Sequence, residues 1–437
     1  MVVPGYFMAI LQKIKTSMFL RNVSVVLVGA VIAQMITVGS MPVLTRLYST
    51  EAFGVFGLFM TIVGLFSTIS TGRYNMAVML PKENADASLL VALSIKIALI
   101  VGLCLLFLVL FGEQIAAMLG MPVLASVIVW VPLVVVINGW FQTYSNWSSR
   151  NKDFKVIALA AIFATLVGNA LRMLFGGEWS SATGLVLGSF LIFLIQLLVL
   201  FGFGKNRLVG SSKLNEEKKQ RTRELVRKYS QFPKFRAPKD LLNSLSQNSP
   251  TFMLTLFFSV DKVGQFYLVD RVLRAPSVLL GNAVRKVYFQ KAAEIHNNGK
   301  SLLSSVLKLT FLLAVIGFVP FLFVIIWGDQ IFGFVFGEEW KTAGEYARWL
   351  AVSMFFMFIN VPSVVAIPVV GLEKYFLIYE ISSIALRLLA LFAGGYYLEN
   401  DRSAIALYAL AAALLNVALI IFVATKIKSM EVRQANG

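Results

Sequence analysis

Two arginines three residues apart, Arg271 and Arg274, stand in an otherwise apolar segment, FYLVDRVLRAPSVLLGNAVRK. Residues at this spacing share one face of a helix. Two guanidiniums on one face suit the bidentate binding of a pyrophosphate group. Asp270 stands four residues before Arg274, so local ion pairing within the helix is the alternative, and the two roles are compatible.

Amide side chains form a second group of candidates, in the segment LLNSLSQNSPTFMLT that begins at residue 241. At helical spacing Asn243, Gln247 and Pro250 fall on one stripe, and an earlier apolar run contains Gln34. A polar stripe and a proline in a membrane helix favour a kinked wall that faces a cavity, with these amides as substrate contacts. Hydrogen bonding between helices is the alternative interpretation.

Further charges stand within or beside apolar runs. Arg73, in TGRYNMAV, directly follows one run and is interpreted either as a contact for a phosphate group or as a charge that sets topology. Asp270 and Glu380 are carboxylates inside apolar segments, which makes them candidates for coupling transport to a proton or sodium gradient. Glu380 also stands seven residues before Arg387, so a structural ion pair is the alternative.

The composition defines the elements that must hold these side chains. The 437 residues are 58% hydrophobic and 14% charged, with a mean hydropathy of +0.79, whereas soluble domains have about 45–50% apolar and about 25% charged residues. Apolar runs of roughly 20 residues, the length that crosses a bilayer, recur along the chain. They contain glycine and proline without polar alternation, so we predict an all-α polytopic membrane protein rather than a barrel.

The composition also excludes several classes of function. A single cysteine, Cys104, and a single histidine, His296, leave almost nothing from which to build a disulfide, a metal cluster or a histidine-dependent enzyme. The sequence contains no GxxxxGK[ST] loop, no HExxH and no Ser-His-Asp constellation. We therefore predict a protein that is not an enzyme and needs no cofactor. The net charge of +17 fits the positive-inside rule better than binding to nucleic acid.

Twelve membrane spans are predicted, and their topology follows from the charges. With the N-terminus in the cytoplasm, the cytoplasmic segments hold 29 Lys and Arg residues and the external segments 6, while Asp and Glu divide 10 to 10. Only the positive charge is distributed unequally between the two sides of the membrane, which places both termini in the cytoplasm. The predicted spans are 23–44, 53–71, 88–111, 122–145, 156–174, 183–204, 241–258, 265–284, 303–327, 343–370, 372–394 and 403–425.

The spans divide into two groups of six around one hydrophilic stretch. We predict that residues 1–22 form an interfacial amphipathic segment. Residues 23–204 are predicted to form the first six-helix bundle. Residues 205–240 are a basic cytoplasmic linker, interpreted as a solvated connector near anionic lipid or, alternatively, as a binding site for a partner. Residues 241–437 form the second six-helix bundle.

An internal repeat supports two equivalent halves. LTRLYSTEAFGVFGL at residue 44 matches LTLFFSVDKVGQFYL at 254, FGEQI at 111 matches WGDQI at 327, and ALRML at 170 matches ALRLL at 385. Three matches in order, at shifts of 210 to 216, indicate a duplication. Ser49 or Thr50 is predicted to cap the helix that follows it, and Ser259 to act likewise in the copy. We predict two six-helix pseudo-repeats around a central cavity.

The sequence PVLTRLYSTEAFGVFGLFMTIVGLFSTISTGRYNMAVMLPKENADA, residues 42–87, resembles the start of bacterial polysaccharide transporters, the Wzx-type flippases of lipid-linked oligosaccharides. These belong to the superfamily that also contains the multidrug and toxin extruders and the lipid II flippases. The resemblance covers the whole chain in length, number of spans and duplicated halves. The quoted segment identifies the family without marking a site.

The resemblance implies transport of an undecaprenyl-pyrophosphate-linked glycan, an O-antigen, capsule or exopolysaccharide repeat unit. Movement from the cytoplasmic to the outer leaflet of the bacterial inner membrane, by alternating access, is the expected activity. Membrane lipids and polysaccharide assembly proteins are the expected partners.

Other classes of function remain open at this point. A multidrug extruder of the same superfamily would favour acidic residues for cationic drugs, whereas the intramembrane charges here lean positive. A glycan polymerase or ligase would need a sizeable external loop, and the predicted external connections are short. A scaffold that transports nothing would not need paired arginines within a span.

Overall fold

The computed structural model describes residues 18–118, 122–178, 181–204 and 216–436, and within these ranges the chain is helical apart from short turns and contains no strand. The predicted amphipathic segment 1–22 lies mostly outside the described residues, as does 205–215 of the linker. The α-helices are α1 Met18–Leu47, α2 Thr50–Ile69, α3 Tyr74–Ala77, α4 Asn84–Leu110, α5 Gly112–Met118, α6 Pro122–Ile128, α7 Val131–Arg150, α8 Phe154–Glu178, α9 Ala182–Phe203, α10 Glu216–Lys228, α11 Ala237–Phe257, α12 Val260–Asn297, α13 Leu302–Phe336, α14 Lys341–Ile359, α15 Val361–Val369, α16 Glu373–Tyr396 and α17 Asp401–Asn436.

Ten segments of the described chain are long and apolar enough to cross a membrane, so this is a multi-pass membrane protein. They correspond to ten of the twelve predicted spans. The other two predicted spans are also helical, α11 and α12, but they contain the amide stripe and the Asp270–Arg274 cluster and are less apolar. Polar helices of this kind are tolerated in a membrane where their polar face is turned away from lipid.

Some helices are longer than the apolar runs that predict them. With 38 residues, α12 is about 57 Å long at 1.5 Å per residue, well beyond the roughly 30 Å of a hydrocarbon core. His296, the single histidine, stands in the last turn of this helix.

The duplication predicted from the sequence is visible in the backbone. At Phe111, which ends α4, φ and ψ are −103° and 15°, and at Trp327, the equivalent residue in α13, they are −113° and 19°. Ser49 and Ser259 precede α2 and α12 with φ and ψ of −66° and 162°, and of −68° and 158°. Matching irregularities at matching sequence positions confirm the two-repeat organisation.

The two repeats differ in how their serines stabilise the helix that follows. Ser49, not Thr50, is the cap: its hydroxyl accepts a hydrogen bond of 3.2 Å from the Ala52 N–H. Ser259 adopts the same backbone conformation, but its side chain makes no such bond. The local fold is thus repeated, whereas the capping interaction is present only in the first copy.

This difference between Ser49 and Ser259 predicts that replacing each serine by alanine has a different effect on stability. Ser49→Ala should lower the free energy of unfolding by about 1 kcal/mol, because it removes an N-cap acceptor. Ser259→Ala should have less than about half that effect. Denaturant titration of the two purified variants in detergent measures both, and equal losses would contradict the assignment.

The chain divides into two compact units, one up to Asn248 and one from Ser249 onward. In the first unit α1 packs closely on α8, since a methyl group added at Gly29 would lie 2.5 Å from Ala158 Cβ. In the second, α13 and α14 approach backbone to backbone, because a methyl group on Gly328 would lie 2.6 Å from the Gly344 carbonyl oxygen. Small residues at such crossings permit the tight helix packing typical of membrane bundles.

Candidate functional site

Arg271 and Arg274 lie one turn apart on α12, and each has a partner on the same helix. Arg274 donates from Nε and from a terminal nitrogen to Asp270 Oδ1, at 2.8 and 2.5 Å. Arg271 Nε donates to the Tyr267 hydroxyl at 3.1 Å, and its guanidinium lies 5.6 Å from the centre of that ring. The local ion pair predicted as an alternative is therefore formed.

This pairing leaves the α12 cluster positively charged. One carboxylate, Asp270, faces two guanidiniums, and the side chain of Arg274 remains 37% exposed. The hydrogen bonds given above use only part of the five donors that each arginine carries. Arg271 and Arg274 therefore keep donors for a phosphate group, while the coupling role of Asp270 stays a prediction.

The predicted amide contacts belong to the first unit. Asn243 and Gln247 are exposed and one turn apart on α11, and Gln34 is partly exposed on α1. Within the part of the chain that the structure describes, none of the three side chains hydrogen-bonds to another residue. The alternative of hydrogen bonding between helices is thus not realised by these amides. Pro250 lies inside α11, which continues through it to Phe257.

Arg73 has a partner that the sequence did not indicate. Its backbone is left-handed, with a φ of 60°, and its Nε lies 2.9 Å from Asp240 Oδ2 at the start of α11. Burial lowers the pKa of the Arg73 guanidinium, and the Asp240 carboxylate offsets this effect only in part. Asp240 stands one turn before Asn243, so Arg73 is joined to the beginning of the amide stripe.

The predicted ion pair between Glu380 and Arg387 is wrong. Arg387 Nε donates instead to the Ser383 carbonyl oxygen at 3.0 Å, and among the described residues no ion pair joins it to the exposed Glu380. Seven residues correspond to about 10 Å along a helix, which is too far for direct contact. Ion coupling by Glu380 remains a prediction.

A buried arginine, Arg172 on α8, was not among the candidate site residues predicted from the sequence. It is only 7% exposed and donates to Asn169 Oδ1 at 3.0 Å and to Ser189 Oγ at 2.5 Å. Its guanidinium lies 5.4 Å from the centre of the Phe56 ring. The Tyr48 hydroxyl donates to its carbonyl oxygen at 2.7 Å, and burial raises the pKa of Tyr48 to about 12.

A chain of hydrogen bonds between polar side chains in the first unit was also missed. Thr71 donates to Asn75 Oδ1 at 2.9 Å, and the Asn75 amide donates to Gln142 at 3.4 Å. Gln142 donates to Asn138 at 3.4 Å, and Asn138 to Ser67 Oγ at 3.0 Å. Because these residues come from three separate helical segments, no periodic signal in the sequence connects them.

Over its described part, the linker is held by specific side-chain contacts and is not a free connector, although most side chains of α10 are exposed. Arg221 on α10 donates two hydrogen bonds, of 2.9 and 2.8 Å, to the carboxylate of Asp86 on α4. These bonds raise the pKa of the Arg221 guanidinium. Leu225, Tyr229 and Phe232 are buried in one apolar cluster with side chains of α3, α4 and α7. The linker is therefore docked on the preceding helices of the first unit from Arg221 onward.

Leu225 provides a test of this docking. Leu225→Asp should release α10, because the side chain is 2% exposed and an unpaired carboxylate is costly in an apolar cluster. Trypsin should then cut after the lysines and arginines of α10 at least tenfold faster than in the wild type. Leu225→Met is the control, and unchanged cleavage in Leu225→Asp would contradict docking.

The described residues contain no candidate metal site. No group of three or more His, Cys, Asp or Glu side chains in those ranges is placed to hold a metal ion. The functional side chains described above are guanidiniums, amides and isolated carboxylates, a set suited to binding a polar anionic ligand.

Comparison with known families decides the relationship. A family described as "Polysaccharide biosynthesis protein" matches residues 43–345, which is more than half of the chain. The chain belongs to this family. The match contains most of the first repeat, the linker and the beginning of the second repeat, and so includes Arg73, Arg271 and Arg274.

A curated relative agrees with this placement. The lipopolysaccharide biosynthesis protein WzxC of Escherichia coli strain K12 is 22% identical over 325 residues, which are 74% of this chain. The match spans 64% of the length of that relative.

Solved structures are similar in fold. An inward-facing multidrug resistance MATE transporter of the MOP superfamily has a TM-score of 0.67 at 12% identity, covering 92% of this chain and 99% of its own. The lipid II flippase MurJ, in an inward closed conformation, has a TM-score of 0.66 at 12% identity, covering 93% and 90%. These likenesses confirm the predicted all-helical, two-repeat membrane fold. The neighbours are transporters and a flippase, not enzymes.

Proposed function

We propose that this protein is a flippase for an undecaprenyl-pyrophosphate-linked oligosaccharide, an O-antigen, capsule or exopolysaccharide repeat unit. It moves the lipid-linked glycan from the cytoplasmic to the outer leaflet of the inner membrane by alternating access. The observation that carries the proposal is the α12 cluster of a chain in a family of polysaccharide biosynthesis proteins: Arg274 pairs with Asp270, whereas Arg271 bonds to the Tyr267 hydroxyl, which leaves two arginines with one carboxylate.

The chemistry of the substrate explains the side chains. A pyrophosphate crosses a membrane only if its charge is met, and arginine meets it in a bidentate manner that lysine does not reproduce. Sugar hydroxyls require neutral donors and acceptors, a role that we assign to Gln34, Asn243 and Gln247. The ion pair of Arg73 with Asp240 gives this arginine a different role, which is argued below.

The proposal also includes the orientation of the protein in the membrane and the energy source for transport. Both termini lie in the cytoplasm, as the distribution of positive charge favours. Transport needs no cofactor, and a proton or sodium gradient drives it, with Asp270 and Glu380 as the coupling carboxylates. Membrane lipids and polysaccharide assembly proteins are the remaining partners.

The multidrug alternative is supported only by fold, through the MATE neighbour. A site for cationic drugs is expected to carry excess negative charge, since like charges repel. The α12 cluster carries the opposite excess. We therefore favour an anionic, lipid-linked substrate.

A deletion strain tests the proposal in cells. Without the protein, and without a redundant transporter, the lipid-linked glycan should accumulate on the cytoplasmic leaflet, and surface polysaccharide should be lost. Sensitivity to cationic drugs should be unchanged. Normal surface glycan in the deletion strain would contradict the proposed function.

A further inference from the structure

A basic groove lies at the beginning of α11, on the first unit. It encloses about 420 Å³ and is lined by Gln231, Phe232, Phe235, Arg236, Lys239 and Asp240. Its floor is fixed, because Phe232 belongs to the apolar cluster that docks the linker. Its rim is accessible, since Phe235 and Lys239 are exposed and the side chain of Arg236 is 55% exposed.

Two backbone irregularities meet beside this groove. Residues Phe232–Arg236 form one turn of π-helix, and Gly72 and Arg73 both have a positive φ, of 57° and 60°. π-turns and left-handed residues other than glycine cost free energy and are concentrated at functional sites. Here the two irregular segments place the Arg73 guanidinium beside Asp240, which lines the groove next to Lys239.

The charges of the groove depend on this contact. Asp240 would by itself repel an anion, but Arg73 lies 2.9 Å from its carboxylate, whereas Arg236 lies 3.8 Å away. Because the side chain of Arg73 is only 13% exposed, it neutralises Asp240 from the protein side. Arg236 keeps only this longer ion pair with Asp240 and lies with Lys239 at the rim, so the groove presents two cations beside a carboxylate that Arg73 already pairs.

The surroundings of the groove favour a lipid over a soluble anion. Phe235 is 73% exposed and Leu242, one turn into α11, is 67% exposed. Basic side chains flanked by exposed apolar residues at a cytoplasmic helix end suit a phosphate headgroup whose acyl chains continue along the helix. Lys234, in the same π-turn, adds a third exposed cation.

We propose that this groove binds the headgroup phosphate of an anionic phospholipid, with Arg236 and Lys239 as the contacts. Arg73 is a positioning residue, since it acts by neutralising Asp240 and does not touch the lipid. The site is independent of the proposed transport substrate.

Binding of phosphatidylglycerol to the purified full-length protein in mixed phosphatidylcholine–detergent micelles tests the contacts. Each basic residue near an anionic lipid surface contributes about a fivefold change in affinity, so Arg236→Gln with Lys239→Gln should weaken binding about 30-fold. Arg236→Lys with Lys239→Arg should bind within about twofold of wild type. Lys218→Gln with Arg223→Gln removes the same charge from α10, away from the groove, and should also have less than a twofold effect.

A double-mutant cycle tests the role of Arg73. Arg73→Gln should weaken binding about fivefold, because Asp240 is then uncompensated, and Arg73→Gln with Asp240→Asn should restore it. Trypsin resistance of α10 verifies that each variant keeps its docked linker.

Three results would overturn the proposal. An equal loss in the α10 control would mean diffuse attraction rather than a site. Failure of Asp240→Asn to rescue Arg73→Gln would overturn the positioning role. Equal binding of inorganic phosphate, or displacement of phosphatidylglycerol by equimolar undecaprenyl pyrophosphate, would mean that the groove serves another phosphate ligand.

Discussion

Replacing Arg271 and Arg274 together by alanine is expected to reduce export of the lipid-linked glycan by at least about 100-fold. Charge-assisted hydrogen bonds contribute about 1.5–3 kcal/mol each, and the pair loses at least two. Export is measured as surface polysaccharide in a deletion strain that carries the variant. The matched control is Lys428→Gln with Arg433→Gln, which removes two exposed charges from α17 and should leave export unchanged.

The ion pair between Arg274 and Asp270 requires a separate arm of the experiment. The reason is that Arg274 could act only to stabilise α12. Binding of the lipid-linked glycan by the purified protein is measured in this arm, because Asp270 is also a proposed coupling residue and its replacement would by itself stop export. If the pair were merely structural, Asp270→Asn with Arg274→Gln would remove it without leaving an unpaired charge, and binding would recover relative to Arg274→Gln. If Arg274 contacts the pyrophosphate, the double variant should bind as weakly as Arg274→Gln. Recovered binding in the double variant, or normal export by the alanine pair, would contradict the assignment.

Gly188→Ala is expected to destabilise the first unit by about 3 kcal/mol, the largest effect of any single methyl group that we predict. A methyl group there would overlap Arg172 Cγ and lie 3.0 Å from Cδ and Nε. The arginine would have to leave its bonds to Asn169 and Ser189, which adds the loss of charged hydrogen bonds to the strain of overpacking. Denaturant titration in detergent measures the change.

Two comparisons separate this mechanism from a general effect of alanine. Gly64→Ala on α2 meets no atom within 4 Å and should be neutral or slightly stabilising, since alanine favours helix. In an Arg172→Ala background the three atoms nearest to the added methyl group are gone, so Gly188→Ala should then cost less than about 1 kcal/mol. Additive losses would contradict the proposed coupling between Gly188 and Arg172.

The fold was predictable because its signals are local. Twenty-residue apolar runs, the positive charge bias and the repeated LTRLYSTEAFGVFGL pattern each require only neighbouring residues or one fixed shift along the chain. The Ser49 cap follows from the same short-range chemistry. The helix boundaries were not predictable from apolar runs, since α12 continues as a helix past its run to Asn297.

The partners of the charged residues were not predictable. Asp240 is 167 positions from Arg73, and Asp86 is 135 positions from Arg221, so no spacing rule joins either pair. The burial of Arg172 was not predictable, because a charge near the end of an apolar run usually reaches water, whereas Gly188 leaves space for it in the bundle. Periodicity shows which face a residue occupies, but three-dimensional packing decides what it meets.

Transport by the purified protein tests the central claim most directly. The protein is reconstituted in liposomes that contain a fluorescent undecaprenyl-pyrophosphate-linked oligosaccharide, and a membrane-impermeant quencher reports how much of it reaches the outer leaflet. We predict that the quenched fraction rises toward completion with wild-type protein and stays near the level of empty liposomes with Arg271→Ala and Arg274→Ala. No transport by the wild type under an imposed proton or sodium gradient, or equal transport by the arginine variant, would contradict the account.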